Sequence, residues 1–377
     1  MMDFRANERG AVATIVAVLF GGGVVLGMLA LSVDVGNMMF ERRQLQNGAD
    51  AVAQKMADIC AKDPAKCDPA NADTLGKLNT LNAANAADEA AGLDAGHPST
   101  TNGVCGHAPG SANLPACSNA SVNAAINNLK ECPPLPSWVN QNVPYVTAYT
   151  ITKTKAGSSV LKAWFNGSST SVRACARVAW GPSSSAFVMP LTFSECEWNV
   201  TKTIGFGTET SLPLKYAKNV QSKCDNYKGR DYDGGFGWLA HGNSVCGSTI
   251  DANSWVEADT GVGAGNDCIP KVVPGQTIYI PIYDCINKTK SFCGNDAMNP
   301  TTYYHIAGLA AFEVTAVDIT GNVVGTPGNA AHTECIKESL DNKCIYGKFV
   351  KDLVPVGSID TSGTATNYGI VNIQSVG

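Results

Sequence analysis

The sequence predicts an α+β protein: an N-terminal transmembrane helix that continues as a long extracytoplasmic helix, followed by a disulfide-rich antiparallel β body. Three observations predict it. Residues Ala11 to Val33 run for 23 positions without a charged side chain. An apolar stripe at helical spacing follows directly. Beyond Trp138 the pattern changes to two-residue alternation in short runs broken by Gly, Asn and Asp. The divisions are a cytoplasmic tail at 1–10, a transmembrane helix at 11–33, and a juxtamembrane amphipathic helix at 34–61. An Ala/Asn-rich bridged segment at 62–136 and a β-rich extracytoplasmic domain at 137–377 complete the chain.

The first element follows from length. At 1.5 Å per residue the apolar stretch reaches about 34 Å, against about 30 Å for a hydrocarbon core. A cleaved signal peptide has an apolar core of only about 7–15 residues and a small-x-small exit. Ala30-Leu31-Ser32 is a poor exit of that kind, so an anchor in membrane lipid is the preferred reading. Arg5 and Arg9 stand before the span and Arg42 and Arg43 after it, so the positive-inside rule does not set the orientation. The cysteines do. All fourteen follow the span: Cys60, Cys67, Cys105, Cys117, Cys132, Cys175, Cys196, Cys224, Cys246, Cys268, Cys285, Cys293, Cys335 and Cys344. The number is even and no C-x-x-C occurs, which favours disulfides over a metal site. Disulfides need an oxidising compartment, which places the N-terminus in the cytoplasm and the body outside.

Inside the span, Ala13, Ala17 and Gly21 share one helical face, and Gly23 and Gly27 share another. Small residues four apart let membrane helices pack closely, and Gly and Ala are also simply common in such helices. Asp34 marks the outer edge, either as a stop or as a group that pairs with another subunit. Next comes the stripe Leu45, Ala49, Val52, Met56 and Ile59, with Met38 seven residues before it. Spacings of four and three make this one face of a helix that is polar elsewhere. No proline intervenes before Pro64, so one helix is expected from about Gly10 to Cys60. The stripe must pack on the chain's own body or on a neighbouring subunit.

Residues 62–136 read as bridged loop with a weak polar helix over Asn71 to Ala91. Strands are expected at Val143–Thr152, Val172–Trp180, Ala186–Phe193, Thr277–Tyr283, Tyr303–Ile319 and Ile345–Val354. In the second of these, Arg173 and Arg177 fall on the face opposite Val172, Val178 and Trp180. No βαβ rhythm appears, which favours an antiparallel body. Neighbour pairing of cysteines is the simplest scheme: Cys60–Cys67, Cys105–Cys117, Cys246–Cys268, Cys285–Cys293 and Cys335–Cys344.

Composition narrows the function. Net charge is −5, 16% of residues are charged and no long basic run occurs, so no nucleic-acid partner is expected. No G-x-S-x-G, H-E-x-x-H, G-x-G-x-x-G or phosphate-loop pattern is present, so no catalytic, cofactor-binding or metal residues are assigned. Asp360-Thr-Ser-Gly-Thr364 resembles an adhesion-type metal motif, but too little chain follows for the fold such a site needs, and a polar turn is the better reading. Asp231-Tyr-Asp-Gly-Gly235 lacks the remaining calcium ligands. Phe236, Trp238 and Trp255 are read as packing beneath bridged loops.

Arg9-Gly10-Ala11 before the span, Asp34-Val35-Gly36 at its exit, and Leu45-Gln46-Asn47-Gly48-Ala49-Asp50-Ala51 beyond it resemble the N-terminal region of TadE/TadG-like Flp pilus-assembly proteins. Arg173–Gly181, Leu191–Trp198, Gly234–Leu239, Ile278–Asp284 and Tyr304–Phe312 resemble the C-terminal region of actinobacterial members. Five residues after Gly10 stands Ile15, where pseudopilin-like members carry glutamate, so the resemblance favours the unprocessed, TadG-like branch. It implies an anchored assembly protein of a thin adhesive pilus. Its implied partners are other pilus-assembly proteins, pilin subunits or a second copy of itself, and it implies no enzyme activity. Alternatives are a cell-surface adhesin and an anchored extracytoplasmic hydrolase. Gly48 stands where the family more usually has alanine, at a helix-propensity cost of up to about 1 kcal/mol.

Overall fold

The computed structural model describes residues 8–86, 91–117, 132–133, 135–139, 143–152, 172–204, 206–213, 224, 236–240, 246–259, 268, 272–287, 302–319, 322–339, 343–353, 358–360 and 365–376. Helix α1 runs unbroken over Glu8–Lys62. Asp63 then caps a single 3₁₀ turn, Pro64–Lys66, by accepting a hydrogen bond from the Ala65 amide. A proline at the first position of that turn has no amide to continue the long helix. Helix α2 follows at Ala72–Ala84, where the Asn71 side chain accepts from the amides of Asp73 and Thr74.

The strands are β1 (Ala91–Leu93), β2 (Val104–His107), β3 (Tyr145–Thr152), β4 (Arg173–Val188), β5 (Leu191–Ser194), β6 (Thr210–Pro213), β7 (Phe236–Leu239), β8 (Ser248–Asp251), β9 (Ser254–Asp259), β10 (Thr277–Asn287), β11 (Tyr303–Ile319), β12 (Asn322–Val324), β13 (Cys344–Val350), β14 (Asp352–Leu353), β15 (Ser358–Ile359), β16 (Thr366–Asn367) and β17 (Ile370–Ser375). Two further helices interrupt them, α3 (Glu195–Ile204) and α4 (Asn329–Glu338).

The strands form two sheets. The first has the order β1-β3-β4-β17-β14, with β2 on β3 and with β8 and β15 on β4. The second has the order β10-β5-β7-β9-β11-β13-β6, with β12 and β16 on β11. Pairing is antiparallel except at three short contacts: β5–β10, β11–β16 and β14–β17 run parallel. The body is therefore mixed rather than purely antiparallel. The bridged segment 62–136 also differs from expectation. Its β1 and β2 both pair with β3, so it extends the first sheet rather than looping around it. Gly103, at φ +73°, makes the turn into β2, where a Cβ would meet the Tyr149 carbonyl at 2.7 Å.

The second sheet's core is aromatic. Phe193, Phe312 and Phe349 meet edge to face, with ring centres 5.0–5.9 Å apart. Phe236 and Trp238 are buried in the same cluster, as expected of packing residues. Trp255 is only half-buried and lies against the His305 ring. The long strand β4 links the halves. Its Ala176, Val178 and Trp180 face α1, while its Ala186 and Val188 pack with Tyr283, Ile306 and Leu309 of the second sheet.

Every cysteine among the described residues is bonded. Cys60–Cys67, Cys105–Cys117, Cys246–Cys268 and Cys335–Cys344 pair as neighbours. Two further pairs, Cys132–Cys175 and Cys196–Cys224, close longer loops. Cys285 is disulfide-bonded, and Cys293 lies outside the described residues. Asp231–Gly235 also lies outside them. Asp360 Oδ2 accepts from the Ala365 amide at 2.6 Å, and residues 361–364 of the Asp360–Thr364 stretch lie outside the described residues.

Candidate functional site

Helix α1 has two halves with opposite surroundings. From Val12 to Phe40 its large apolar side chains are exposed, Phe20 to 75% and Leu19 to 68%. This is the one helix among the described residues long and apolar enough to cross a membrane. Built Cβ atoms at Gly21, Gly23, Gly27 and Gly36 meet nothing within 4 Å, so the small-residue faces are unfilled. Ala13 and Ala17 are exposed on the same stretch. The side chains of Arg9, Gly10, Asp34 and Met38 lie outside the described set.

From Leu45 onward the helix is part of the body's core. Leu45, Ala49, Val52, Ala53, Met56, Ala57 and Cys60 are all buried. Most pack against Val104, Val146, Ala148, Ala176, Val178, Trp180 and Val371, one face of the first sheet. Leu45 sits at the near end with Ala86, Ala91 and Ala174. The apolar stripe thus packs on the chain's own body. The buried face also differs from a heptad seam: it includes Ala53 and Ala57 and ends on Cys60, while Ile59 is only half-buried. A sheet offers a broad surface, so a face about 100° wide with a 3.6-residue period fits it better than a narrow seam.

Polar contacts fix the register. Gln46 Nε2 donates to the Cys175 carbonyl at 2.9 Å and to Asp50 Oδ1 at 3.3 Å. Thr150 Oγ1, fully buried, donates to the Leu45 carbonyl at 2.9 Å. Burial pushes the Asp50 carboxyl above its ordinary range, and the Gln46 hydrogen bond partly offsets this. For Asp58 burial also acts upward, but hydrogen bonds and charges from Lys55 and Lys62 outweigh it and hold the carboxyl below the ordinary range. At the far end Lys351 Nζ donates to the Lys62 carbonyl at 3.0 Å, and the Cys60–Cys67 bridge locks the last turn.

Helix α2 covers the outer side of α1. Its Leu78 is buried in the same cluster and its Asn82 is 1% exposed. Asn82 Oδ1 and Nδ2 have no hydrogen-bond partner among the described residues. The amide lies against Gly48, where a Cβ would overlap Oδ1 and stand 3.4 Å from Cγ. Gly48 is thus the point where α2 approaches α1, a reason for glycine that sequence reasoning missed.

On the opposite face of the first sheet the arginines are covered. Arg173 Nε pairs with the buried Asp94 carboxylate at 2.7 Å. Arg177 is 1% exposed, donates to Thr147 Oγ1 at 3.1 Å and to the Pro133 carbonyl, and has no carboxylate partner among the described residues. The alternation placed both arginines on one face. Their burial depends on chain from outside the strand.

A disulfide-rich β body is thus fastened around one half of a long helix whose other half is bare, apolar and long enough to cross a membrane. The family model for the putative Flp pilus-assembly TadE/G-like domain matches residues 10–54, the stretch that holds both the bare half and most of the docked half. Residues 10–54 are therefore a TadE/G-like segment. Of the residues that carry the resemblance, Leu45, Gln46 and Ala49 are among those that fix α1 to the sheet, and Asp50 accepts from Gln46 within the helix. No curated protein and no solved structure matches the chain.

Proposed function

We propose that this chain is a single-pass, membrane-anchored structural or assembly protein of a Flp/Tad-type pilus, with its body outside the cytoplasm. It acts by protein–protein contact with other pilus-assembly proteins or pilin subunits, not as an enzyme. The observation that carries the reading is the coincidence of the TadE/G-like match with a helix that is bare and apolar in its first half and core in its second. The disulfides support an oxidising, extracytoplasmic setting. The single apolar helix among the described residues supports the single-pass reading. The TadG-like, actinobacterial placement rests on the body stretches quoted above and on Ile15.

A deletion strain tests it. Loss of pili, restored by the full chain and not by a chain lacking residues 11–33, supports an anchored assembly role. Normal pili with lost attachment would instead assign an adhesin. Normal pili and normal attachment contradict the reading outright.

A further inference from the structure

The docked helix fixes which end of the body faces the bilayer and how close it stands. The apolar run ends at Val33 and the first residue buried in the body is Leu45, twelve positions on. Twelve helical residues rise about 18 Å. A headgroup layer takes up roughly 5–8 Å of that distance. Because α1 is continuous and its next four turns are core, the body has no hinge with which to draw away.

The short exposed collar between span and body has a definite chemistry. Met39 and Phe40 are exposed, to 62% and 57%. Arg42 and Arg43 follow, both exposed, and neither makes an ion pair among the described residues. Helical side chains tilt toward the helix N-terminus, which here is the direction of the span. Two guanidinium groups are therefore aimed back at the level where lipid phosphates lie, and long arginine stems reach such a layer by snorkelling. Asp34 and Glu41 belong to the same collar, so its formal charge is balanced, but carboxylates offer phosphates no hydrogen bond.

Strand β3 ends at Thr152 and β4 begins at Arg173, and both ends lie at the Leu45 end of α1, where Val172 packs on the Leu45 cluster. Residues 153–171 lie outside the described set, and their sequence carries Lys153, Lys155 and Lys162 with no acidic residue.

We propose that Arg42 and Arg43 bind the phosphates of anionic lipid in the outer leaflet, seating the base of the body on the membrane surface. This rests on the anchored, extracytoplasmic reading. The partner is lipid: an exposed apolar pair a turn and a half past the span, followed by two guanidinium groups with no ion pair among the described residues, suits an interface that is apolar on one side and anionic on the other.

The test uses the full chain in nanodiscs of phosphatidylcholine mixed with phosphatidylglycerol. Lipid retained on transfer to mild detergent is identified by mass spectrometry. The wild-type chain should retain phosphatidylglycerol in excess of its bulk share. Arg42→Gln with Arg43→Gln should lower that excess by about fivefold per arginine in low salt, with a smaller effect as salt rises. Arg5→Gln with Arg9→Gln, at the other end of the span, controls for the opposite leaflet. Unchanged tryptophan fluorescence and unchanged insertion show that the collar variant is folded and anchored. An inserted, folded variant that keeps the wild-type excess overturns the inference and leaves the anchor intact. A full chain that stays in solution without lipid overturns the anchored reading itself.

Discussion

Replacing Gly48 with alanine separates helix propensity from packing. In an unpacked helix the change would stabilise by about 1 kcal/mol. In this fold the added methyl overlaps Asn82 Oδ1 and stands 3.4 Å from Asn82 Cγ and 3.5 Å from the Asn82 carbonyl oxygen. Asn82 is 1% exposed, so its amide has no open space to enter. Overpacking of a filled interior costs about 1–3 kcal/mol. The expected net effect is a loss of about 1 kcal/mol. With Asn82→Ala already in place the clash disappears, and Gly48→Ala should then stabilise by about 1 kcal/mol. The cycle thus predicts a coupling of about 2 kcal/mol between the two positions. Denaturant unfolding of the full chain in detergent, followed by tryptophan fluorescence, measures all four corners. If Gly48→Ala stabilises equally in both backgrounds, α2 does not approach α1 at this point and the close-contact argument is wrong.

Other consequences follow from the same packing. Arg173→Ala leaves the Asp94 carboxylate buried without its partner and should cost about 3 kcal/mol in the same unfolding assay, and a loss under 0.5 kcal/mol would show that Asp94 is solvated. Loop length ranks two disulfides: removing Cys132–Cys175, with a sequence separation of 43, should cost about 4 kcal/mol, against about 2.5 kcal/mol for Cys60–Cys67, with a separation of 7. Paired Cys→Ala variants compared by denaturation test that order. Tyr279 donates to Asp352 at 3.0 Å, and burial, then the Asp352 charge and hydrogen bond, raise its phenol from 10 to about 12. The folded state holds this proton more tightly than the unfolded state, so its contribution to stability is full below pH 10 and fades as pH rises toward 12. Ultraviolet titration of wild type against Tyr279→Phe checks this; an identical titration between pH 10 and 12 would contradict it.

Helix α1 was legible because its two halves give two clear signals, an uncharged run and an apolar stripe at spacings of four and three. Strand β11 emerged with its observed bounds, Tyr303–Ile319. Other features were hidden for stated reasons. Helix α3 is ten residues long and carries Val200, Thr201 and Thr203, which lower helix propensity. Its signal was the capping box Ser194-Glu195-Cys196-Glu197, and the Ser194 hydroxyl does accept from the Glu197 amide at 3.2 Å. Helix α4 offers less, since its N-cap Gly328 makes no side-chain bond. Which surface the α1 stripe covers could not be read from the stripe, because period fixes a face and not its partner. The same holds for Arg177, whose burial is completed by the carbonyl of Pro133, 44 residues earlier.

Residues 45–60 of α1 belong to the folding unit of the first sheet, so that the apolar first half of α1 and the body move as one. Hydrogen exchange of the full chain in nanodiscs measures this directly. Amides over Leu45–Cys60 should be as slow as those of β3 and β4 and should lose protection together with them in rising denaturant. Exchange of that stretch at the pace of a lone helix, while β3 and β4 stay protected, would contradict it.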